Sequence, residues 1–181
     1  MITIVDNGKG ADKISQLMRS KNQIVKPGAV KAVDGVFILS DGPVTAEAQK
    51  AAAKILEKSG NPVMGIGAGM AYIAAFYGAK IKNVKAVQKQ EQISLKKPSP
   101  LLLDFKRVFT AVTASGCTVE DLPENFTVNA SSKSCEFEVI QDIEKPFFGV
   151  HFNPELGQDG IQIFRNFEKF LEIWNKYHRN G

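Results

Sequence analysis

The chain has 181 residues, of which 44% are hydrophobic and 23% are charged, and its formal net charge is +4. These values exclude a largely disordered chain and indicate one globular domain, residues 1–181, with room for a full hydrophobic core. No apolar run reaches the roughly 20 residues that cross a bilayer, and the first residues lack the pattern of a signal peptide. We therefore expect a cytoplasmic protein without membrane contact.

The cysteines and histidines exclude two common kinds of framework. Cys117 and Cys135 are too few for a disulfide scaffold. The two histidines are not accompanied by any C-x-x-C spacing that would indicate a zinc site. We expect no bound metal and no cofactor.

Strand and helix patterns alternate in the N-terminal part of the chain. Short apolar runs that end at turn residues predict strands, and apolar residues three or four apart predict helices. Such alternation is typical of a parallel sheet with helices packed on its faces. In chain order the predicted elements are a strand at 2–5, a helix at 12–19, a strand at 36–39, a helix from 45 to about 60, a strand at 62–66 and a helix at 69–77.

From residue 84 onward, strand patterns follow one another without intervening helices. This change predicts a mixed sheet, or an antiparallel layer beside the parallel one. A last helix, at about 160–177, carries an apolar and aromatic stripe that we interpret as core packing. The predicted strands are 84–95, 107–113, 126–130, 135–140 and 147–152.

Six lysines between residues 80 and 97 form what we call the basic cluster, and Glu91 is the single acidic residue among them. One interpretation is a docking surface for an acidic partner or nucleic acid. The other, which we favour, is a lysine-rich edge hairpin that resists pairing with other sheets. No aromatic side chain lies between the lysines to stack on bases, so nucleic acid is not an expected partner. The cluster comprises Lys80, Lys82, Lys85, Lys89, Lys96 and Lys97.

Residues 62–71, here called the elbow, read Pro-Val-Met-Gly-Ile-Gly-Ala-Gly-Met-Ala. They predict a buried strand that turns sharply into a helix, where many α/β hydrolytic enzymes carry a nucleophile, yet no nucleophile is present. We favour a purely structural turn, since glycine tolerates strained backbone. The alternative is that amides at the helix N-terminus hold an anion or small ligand. The spacing completes neither G-x-G-x-x-G nor a Walker motif.

Several further segments occur in an informative order. Residues 38–43 read Ile-Leu-Ser-Asp-Gly-Pro, and residues 149–155 read Gly-Val-His-Phe-Asn-Pro-Glu. With the elbow, they resemble the L-S-G-G-P, G-V-Q-F-H-P-E and G-x-C-x-G-H segments of class I glutamine amidotransferase domains, in particular the separate glutaminase subunit of archaeal-type GMP synthases. Shorter similarities lie at 122–126, 130–138 and 163–167. The resemblance implies a flavodoxin-like, three-layer α/β sandwich with a mostly parallel central sheet and extra antiparallel strands.

The chemistry of that family requires a cysteine nucleophile, a histidine that transfers the proton and a glutamate that orients the histidine. At the matching positions this sequence has Gly67, Asn153 and Glu155. Glycine has no side chain, and the amide of asparagine cannot act as a base near neutral pH. The resemblance therefore implies a degenerate triad, and we expect no catalytic residue.

The oxyanion site of the family is also altered here. The family stabilises negative charge with one amide from its Gly-Gly turn and one amide just after the nucleophile. Asp41 replaces the first turn glycine; its carboxylate would repel an oxyanion, and we expect it to bond its own turn. Met70 replaces the family's histidine and makes any remaining pocket more apolar. The candidate ligand-binding residues are Asp41, Gly42, Gly67, Ala68 and Met70.

Three other residues are candidates to replace the missing groups. His151 precedes Asn153 by two residues, which on one strand separates them by about 6.6 Å, too far to meet the same substrate atom. Cys135 lies in a predicted strand and is interpreted as a small apolar filler. Cys117 could be exposed, but nothing near it in the sequence would lower a thiol pKa.

The leading hypothesis is a catalytically inactive, amidotransferase-like protein that binds or regulates a partner. The resemblance implies that this partner is an ATP-pyrophosphatase-type synthetase subunit, as in GMP synthase, and that the role is in purine biosynthesis. Three alternatives remain: a glutaminase subunit that supplies ammonia with non-standard catalytic residues, another hydrolase that uses Glu155 or Asp41, and a basic-surface adaptor. The oligomeric state is left open.

Overall fold

The computed structural model describes residues 1–178. Its α-helices are α1 (Ala11–Leu17), α2 (Ala46–Lys58), α3 (Ala68–Phe76) and α4 (Ile161–His178). Its strands are β1 (Ile2–Val5), β2 (Asn22–Val25), β3 (Val36–Leu39), β4 (Val63–Ile66), β5 (Ile81–Asn83), β6 (Lys89–Leu95), β7 (Val108–Thr113), β8 (Cys117–Val119), β9 (Phe126–Ser131), β10 (Val139–Asp142) and β11 (Phe147–Val150). None of the helices in this range is long and apolar enough to cross a membrane.

Nine of these strands form one sheet in the order β2-β1-β3-β4-β11-β10-β9-β6-β7. The pairs from β2 to β11 are parallel, and those from β11 to β7 are antiparallel. Strands β5 and β8 form a separate antiparallel pair. The predicted parallel centre with additional antiparallel strands is confirmed.

Helices cover both faces of the sheet and create two hydrophobic cores. Side chains of a strand alternate between faces, so Ile38 of β3 packs with Ile14 of α1 and Phe164 of α4. Its neighbour Leu39 packs on the opposite face with Ile55 of α2 and residues of α3. Helix, sheet and helix therefore form three layers, as expected, and the stripe of α4 packs in the core.

The predicted and observed boundaries differ most where strands are short or polar. Strand β2 lies at the sheet edge and is mostly solvent-facing, so its sequence lacks the apolar run that predicts a strand. The predicted strand 84–95 begins only at Lys89, and the predicted strand 135–140 begins at Val139. In the latter case a tight turn precedes the strand, in which Ser132 N–H donates to Cys135 O at 2.8 Å.

The parallel topology brings several chain segments to one edge of the sheet. The carboxyl ends of parallel strands meet at the same edge, where open α/β sheets form their sites. The segments that follow β1, β3, β4 and β11 therefore lie together. They carry Lys9, Asp41, Gly67 and Asn153, respectively.

Candidate functional site

The elbow is the centre of the candidate site. Strand β4 ends at Ile66, and helix α3 starts at Ala68. The residue between them, Gly67, has φ +54° and ψ −112°, a conformation that residues with a side chain rarely adopt. Its N–H donates to Val150 O at 2.8 Å, which fixes the turn to β11. The predicted sharp turn from strand to helix is confirmed.

The carboxylate of Asp41 lies against Gly67, where a nucleophile would begin. A Cβ atom placed on Gly67 would overlap Oδ1 and Cγ of Asp41 and would lie 2.9 Å from its Oδ2. The Asp41 residue is 1% exposed. Asp41 and a side chain at position 67 are therefore mutually exclusive in this conformation.

Three hydrogen bonds hold the Asp41 carboxylate in place. Its Oδ1 accepts from Ala68 N–H at 2.9 Å and from the Ser115 hydroxyl at 3.2 Å, and its Oδ2 accepts from Asn153 Nδ2 at 3.0 Å. The expectation that Asp41 bonds its own turn is wrong. The first amide of α3 has no partner within the helix, and the helix dipole favours a negative charge there, so the carboxylate reaches across to it.

Asn153 connects the Asp41 carboxylate to a second one. Its Nδ2 donates to Asp41 Oδ2 and, at 3.3 Å, to Glu155 Oε1, while its Oδ1 accepts from Ala114 N–H at 2.8 Å. Asn153 is completely buried, and Glu155 is 2% exposed. The amide of Asn153 thus separates two buried carboxyl groups and donates a hydrogen bond to each of them.

The electrostatics of the site favour a protonated Glu155. Burial raises the pKa of the Glu155 carboxyl to about 7, and the nearby charge of Asp41 acts in the same direction, whereas Asn153 and Lys9 oppose it. Its Oε2 makes no hydrogen bond. The ammonium of Lys9 lies 3.9 Å from Asp41 Oδ2 and donates to Ala114 O at 2.7 Å. Lys9 was not predicted, because it follows β1 and belongs to none of the segments that carried the resemblance.

The candidate ligand-binding residues are only partly brought together. Asp41, Gly67 and Ala68 are in direct contact. Gly42 abuts the backbone carbonyl of Asn7, where a Cβ atom would not fit. Met70 is buried in the apolar core between α3 and the sheet. The amide that could hold an anion is bonded to Asp41, and ligand binding at these residues stays a prediction.

Cys117 is not an exposed thiol. It is 1% exposed on β8, and burial raises its thiol pKa to about 11. The suggestion that it could be exposed is therefore wrong, whereas the absence of a thiol-activating environment is confirmed.

Cys135, Glu138 and His151 form a second group of polar side chains, here called the Cys135 cluster. Cys135 lies in the loop before β10, so its predicted position in a strand is wrong. The prediction that His151 and Asn153 lie on one strand is wrong, because strand β11 ends at Val150. The Nδ1 of His151 lies 3.4 Å from Glu138 Oε2.

The His151 ring is in a strongly charged environment. Burial opposes its positive charge, but the nearby side chains of Cys135 and Glu138 outweigh burial and raise its pKa to about 10. Sequence reasoning missed this grouping because Cys135 and Glu138 lie in the segment before β10 and His151 follows β11, and these segments meet only when the two strands pair in the fold.

The basic cluster is exposed but divided. Strands β6 and β7 form the predicted hairpin at the edge of the nine-stranded sheet. Of the six lysines, Lys89 alone lies on a strand of that hairpin, where it pairs with Glu91 at 3.3 Å. Lys96 and Lys97 lie in the segment between β6 and β7, and Lys82 lies on β5 in the smaller sheet. The lysines therefore do not form a single strand face.

Comparisons with known proteins agree with this architecture. The family model "Glutamine amidotransferase class-I" matches residues 8–170. A glutamine-hydrolysing GMP synthase subunit from Methanococcus aeolicus is 30% identical over 93% of this chain and 96% of its own length. The corresponding subunit from Methanocaldococcus jannaschii is 29% identical over 93% and 96%.

Solved structures show the same fold. A protein from Thermoplasma acidophilum, described as a GMP synthase subunit, superposes with a TM-score of 0.88 at 22% identity, covering 98% of this chain and 96% of the other. A glutamine amidotransferase from Thermotoga maritima superposes with a TM-score of 0.69 at 16% identity, covering 99% and 84%.

Proposed function

The chain belongs to the class I glutamine amidotransferase family, related to the glutamine-hydrolysing subunit of GMP synthase, and on that premise we propose that it is a catalytically inactive member, a pseudo-glutaminase. The observation that carries the proposal is the position of Asp41. Its carboxylate fills the space above Gly67 and accepts a hydrogen bond from Ala68 N–H at 2.9 Å.

The occupied amide argues against amide hydrolysis independently of the missing cysteine. Hydrolysis through a tetrahedral intermediate requires donors aimed at the developing oxyanion, and losing one such donor costs on the order of 10²–10³ in kcat. Here Ala68 N–H already bonds a carboxylate, which would also repel a second negative charge.

The other triad positions support the same conclusion. Asn153 donates from Nδ2 to Asp41 and Glu155, and its amide has no proton equilibrium with which to serve as a base. Glu155 has no histidine at the family position to orient. When nucleophile and base act as a unit, losing them costs on the order of 10⁶ in kcat.

Glutamate release tests the proposed inactivity. Purified protein is incubated with glutamine, alone and with a synthetase subunit, and glutamate is measured with a coupled assay. The expected result is release at the rate of a buffer control in both mixtures. Release above that control would contradict the proposal.

For the biological role, we propose that the protein binds and regulates an ATP-pyrophosphatase-type synthetase that forms GMP, and so acts in purine biosynthesis. The support is its relationship to the glutamine-hydrolysing GMP synthase subunit over 93% of the chain. If it takes the place of an active glutaminase subunit, it should lower glutamine-dependent GMP formation and leave ammonia-dependent formation unchanged.

A competition assay tests this role. The synthetase subunit is mixed with an active glutaminase subunit in the presence of increasing amounts of this protein, and both reactions are followed. No association under conditions in which the active glutaminase binds would count against the role. Equal inhibition of both reactions would indicate a different mode of action.

A glutaminase with non-standard catalytic residues is the second candidate. It is favoured by one observation: the thiol of Cys135 lies beside the His151 imidazole in the Cys135 cluster. The occupied Ala68 amide makes it the weaker candidate. If glutamate release occurs and Cys135→Ser abolishes it, this second candidate replaces the first.

A further inference from the structure

We propose that Cys135, Glu138 and His151 form a binding site for one Zn²⁺ ion. This site is separate from the elbow, and the proposal does not depend on whether the protein hydrolyses glutamine. A thiolate, a carboxylate and an imidazole are the ligand types that zinc accepts in proteins.

The ligand atoms of the three residues lie near the spacing that a tetrahedral ion requires. One ligand atom from each residue lies within 4.8 Å of the others, and His151 Nδ1 is 3.4 Å from Glu138 Oε2. Zinc bonds of about 2.0–2.3 Å place tetrahedral ligand atoms roughly 3.3–3.8 Å apart. Only small side-chain adjustments would bring all three atoms to one ion.

The cluster contains buried polar atoms that make no hydrogen bond, although His151 Nδ1 and Glu138 Oε2 lie 3.4 Å apart as an ion pair. Glu138 is completely buried, and neither its Oε2 nor either ring nitrogen of His151 makes a hydrogen bond. Leaving such groups unsatisfied is costly, and proteins rarely do so without a functional reason. Within residues 1–178, three of the six buried side-chain atoms without a hydrogen bond belong to this cluster. A cation between them would satisfy the oxygen and one ring nitrogen.

The surrounding bonds orient the three ligands in advance. The hydroxyl of Ser132 donates to Glu138 Oε1 at 2.7 Å, which leaves Oε2 for the ion. Ser132 also holds the Cys135 loop, because its N–H donates to Cys135 O at 2.8 Å and its Oγ accepts from Cys135 N–H at 3.1 Å. The backbone N–H of His151 donates to the backbone carbonyl oxygen of Glu138 at 2.8 Å. Such outer contacts are typical of protein metal sites.

The site also has room for a fourth ligand. Cys135 and His151 line a cavity of about 410 Å³, together with Thr113, Ser115 and Lys85 among others. Three protein ligands and an open position facing a cavity are typical of zinc sites that bind water or a small molecule. Magnesium and calcium prefer sites made entirely of oxygen ligands, so a site with sulfur and nitrogen favours zinc.

Titration of metal-free protein with Co²⁺ and Zn²⁺ tests the proposal. The full chain is treated with a chelator, then titrated with Co²⁺ while visible and near-ultraviolet spectra are recorded. We expect one ion per chain, tetrahedral cobalt bands and a thiolate-to-cobalt charge-transfer band. Zn²⁺ should displace the cobalt, and competition with a chromophoric chelator gives its affinity.

Variants separate this site from incidental binding. Cys135→Ser should abolish the charge-transfer band, and His151→Gln should weaken Zn²⁺ binding at least a hundredfold. The matched controls are Cys117→Ser, which alters the other cysteine, and His178→Gln, which alters the other histidine. Both controls should keep the spectrum and the stoichiometry of the unmodified protein.

The change in Tm on adding Zn²⁺ provides a second test, which applies even to a variant that is less stable than the unmodified protein. Zn²⁺ should raise the Tm of the unmodified protein and of Cys117→Ser, and should not raise that of Cys135→Ser. Failure to bind one ion, an octahedral cobalt spectrum without a thiolate band, or binding that survives both ligand substitutions would overturn the proposal.

Discussion

Asp41 and Gly67 are complementary residues, and each explains the presence of the other. The carboxylate fits only because position 67 has no Cβ atom. In return, the carboxylate satisfies the first amide of α3 at 2.9 Å. Together the two residues form a filled and hydrogen-bonded centre at the elbow, which is compatible with a stable fold.

This complementarity predicts coupling between substitutions at positions 41 and 67. Gly67→Ala should destabilise the protein by about 3 kcal/mol or more, through backbone strain and overlap with Asp41. In an Asp41→Gly background the overlap is gone, so the added cost of Gly67→Ala should fall by at least about 1 kcal/mol. Denaturant unfolding of the unmodified protein, the two single variants and the double variant measures this coupling. Additive costs would show that the two side chains do not compete for space.

Glu155 predicts a specific dependence of stability on pH. Its pKa is about 7 in the folded protein, against 4.5 for an ordinary glutamate, so the folded state holds the proton between these values. The contribution to stability is therefore fully present below pH 4.5 and is lost as the pH rises through 7. Burial and Asp41 raise the pKa, and Lys9 moderates it.

Comparison with Glu155→Gln isolates this effect. The variant cannot ionise, so it should lack the fall in unfolding free energy between pH 5 and 8, which is on the order of 3 kcal/mol at most. Unfolding free energies across this range provide the measurement. An identical slope in the variant and the unmodified protein would rule out Glu155 as its source.

For single residues, the sequence indicated which positions match the family's triad but not the contacts that these residues make. Gly67 and Asn153 were identified by position, since the resemblance aligned them with the triad. The bond from Asp41 to Ala68 joins residues 27 positions apart and depends on how β3 and β4 pair. The Cys135 cluster likewise requires the register of β10 and β11.

Among the elements, α4 shows how a polar residue can belong to an apolar stripe. Asn166 is 2% exposed on this helix, and its Nδ2 donates to Leu101 O at 2.8 Å and to Leu103 O at 2.7 Å. Its Oδ1 accepts from Gln162 at 2.8 Å. The side chain therefore fastens the 100–103 turn to the helix.

Removing this connection should be costly. Asn166→Ala leaves two carbonyl groups without their donor, so we expect a loss of about 2 kcal/mol of unfolding free energy. Asn175→Ala, at a less buried position of the same helix, is the control and should change stability by less than about 0.5 kcal/mol. Denaturant unfolding of both variants measures the difference, and equal effects would contradict this role of Asn166.

Helices and strands were predicted best where one face of the element, or the whole element, is buried. Strands β1, β3 and β4 and helices α2 and α4 follow apolar patterns that local sequence expresses directly. The short edge strands β2 and β8 depend on pairing with distant partners, so their own sequences gave little signal.

For the whole molecule, we propose that the chain forms a single domain. Its main sheet takes β1 from the N-terminus and β11 from beyond residue 146, and α4 packs on the same sheet. The parallel half brings four loops to one edge, where the Asp41, Asn153 and Glu155 network lies. The family scaffold is kept, while the centre of the site is closed by buried carboxyl groups.

Rebuilding the site tests this account most directly. The triple variant Asp41→Gly, Gly67→Cys, Asn153→His restores the family residues and removes the obstructing carboxylate. Its control is the double variant Gly67→Cys, Asn153→His, which retains Asp41. Glutamate release from glutamine is measured for both and for the unmodified protein, with folding checked by circular dichroism. We predict release by the triple variant at least about tenfold above the other two. A folded triple variant that releases no glutamate, or equal release by the double variant, would contradict the claim that Asp41 occupies the family's reactive position.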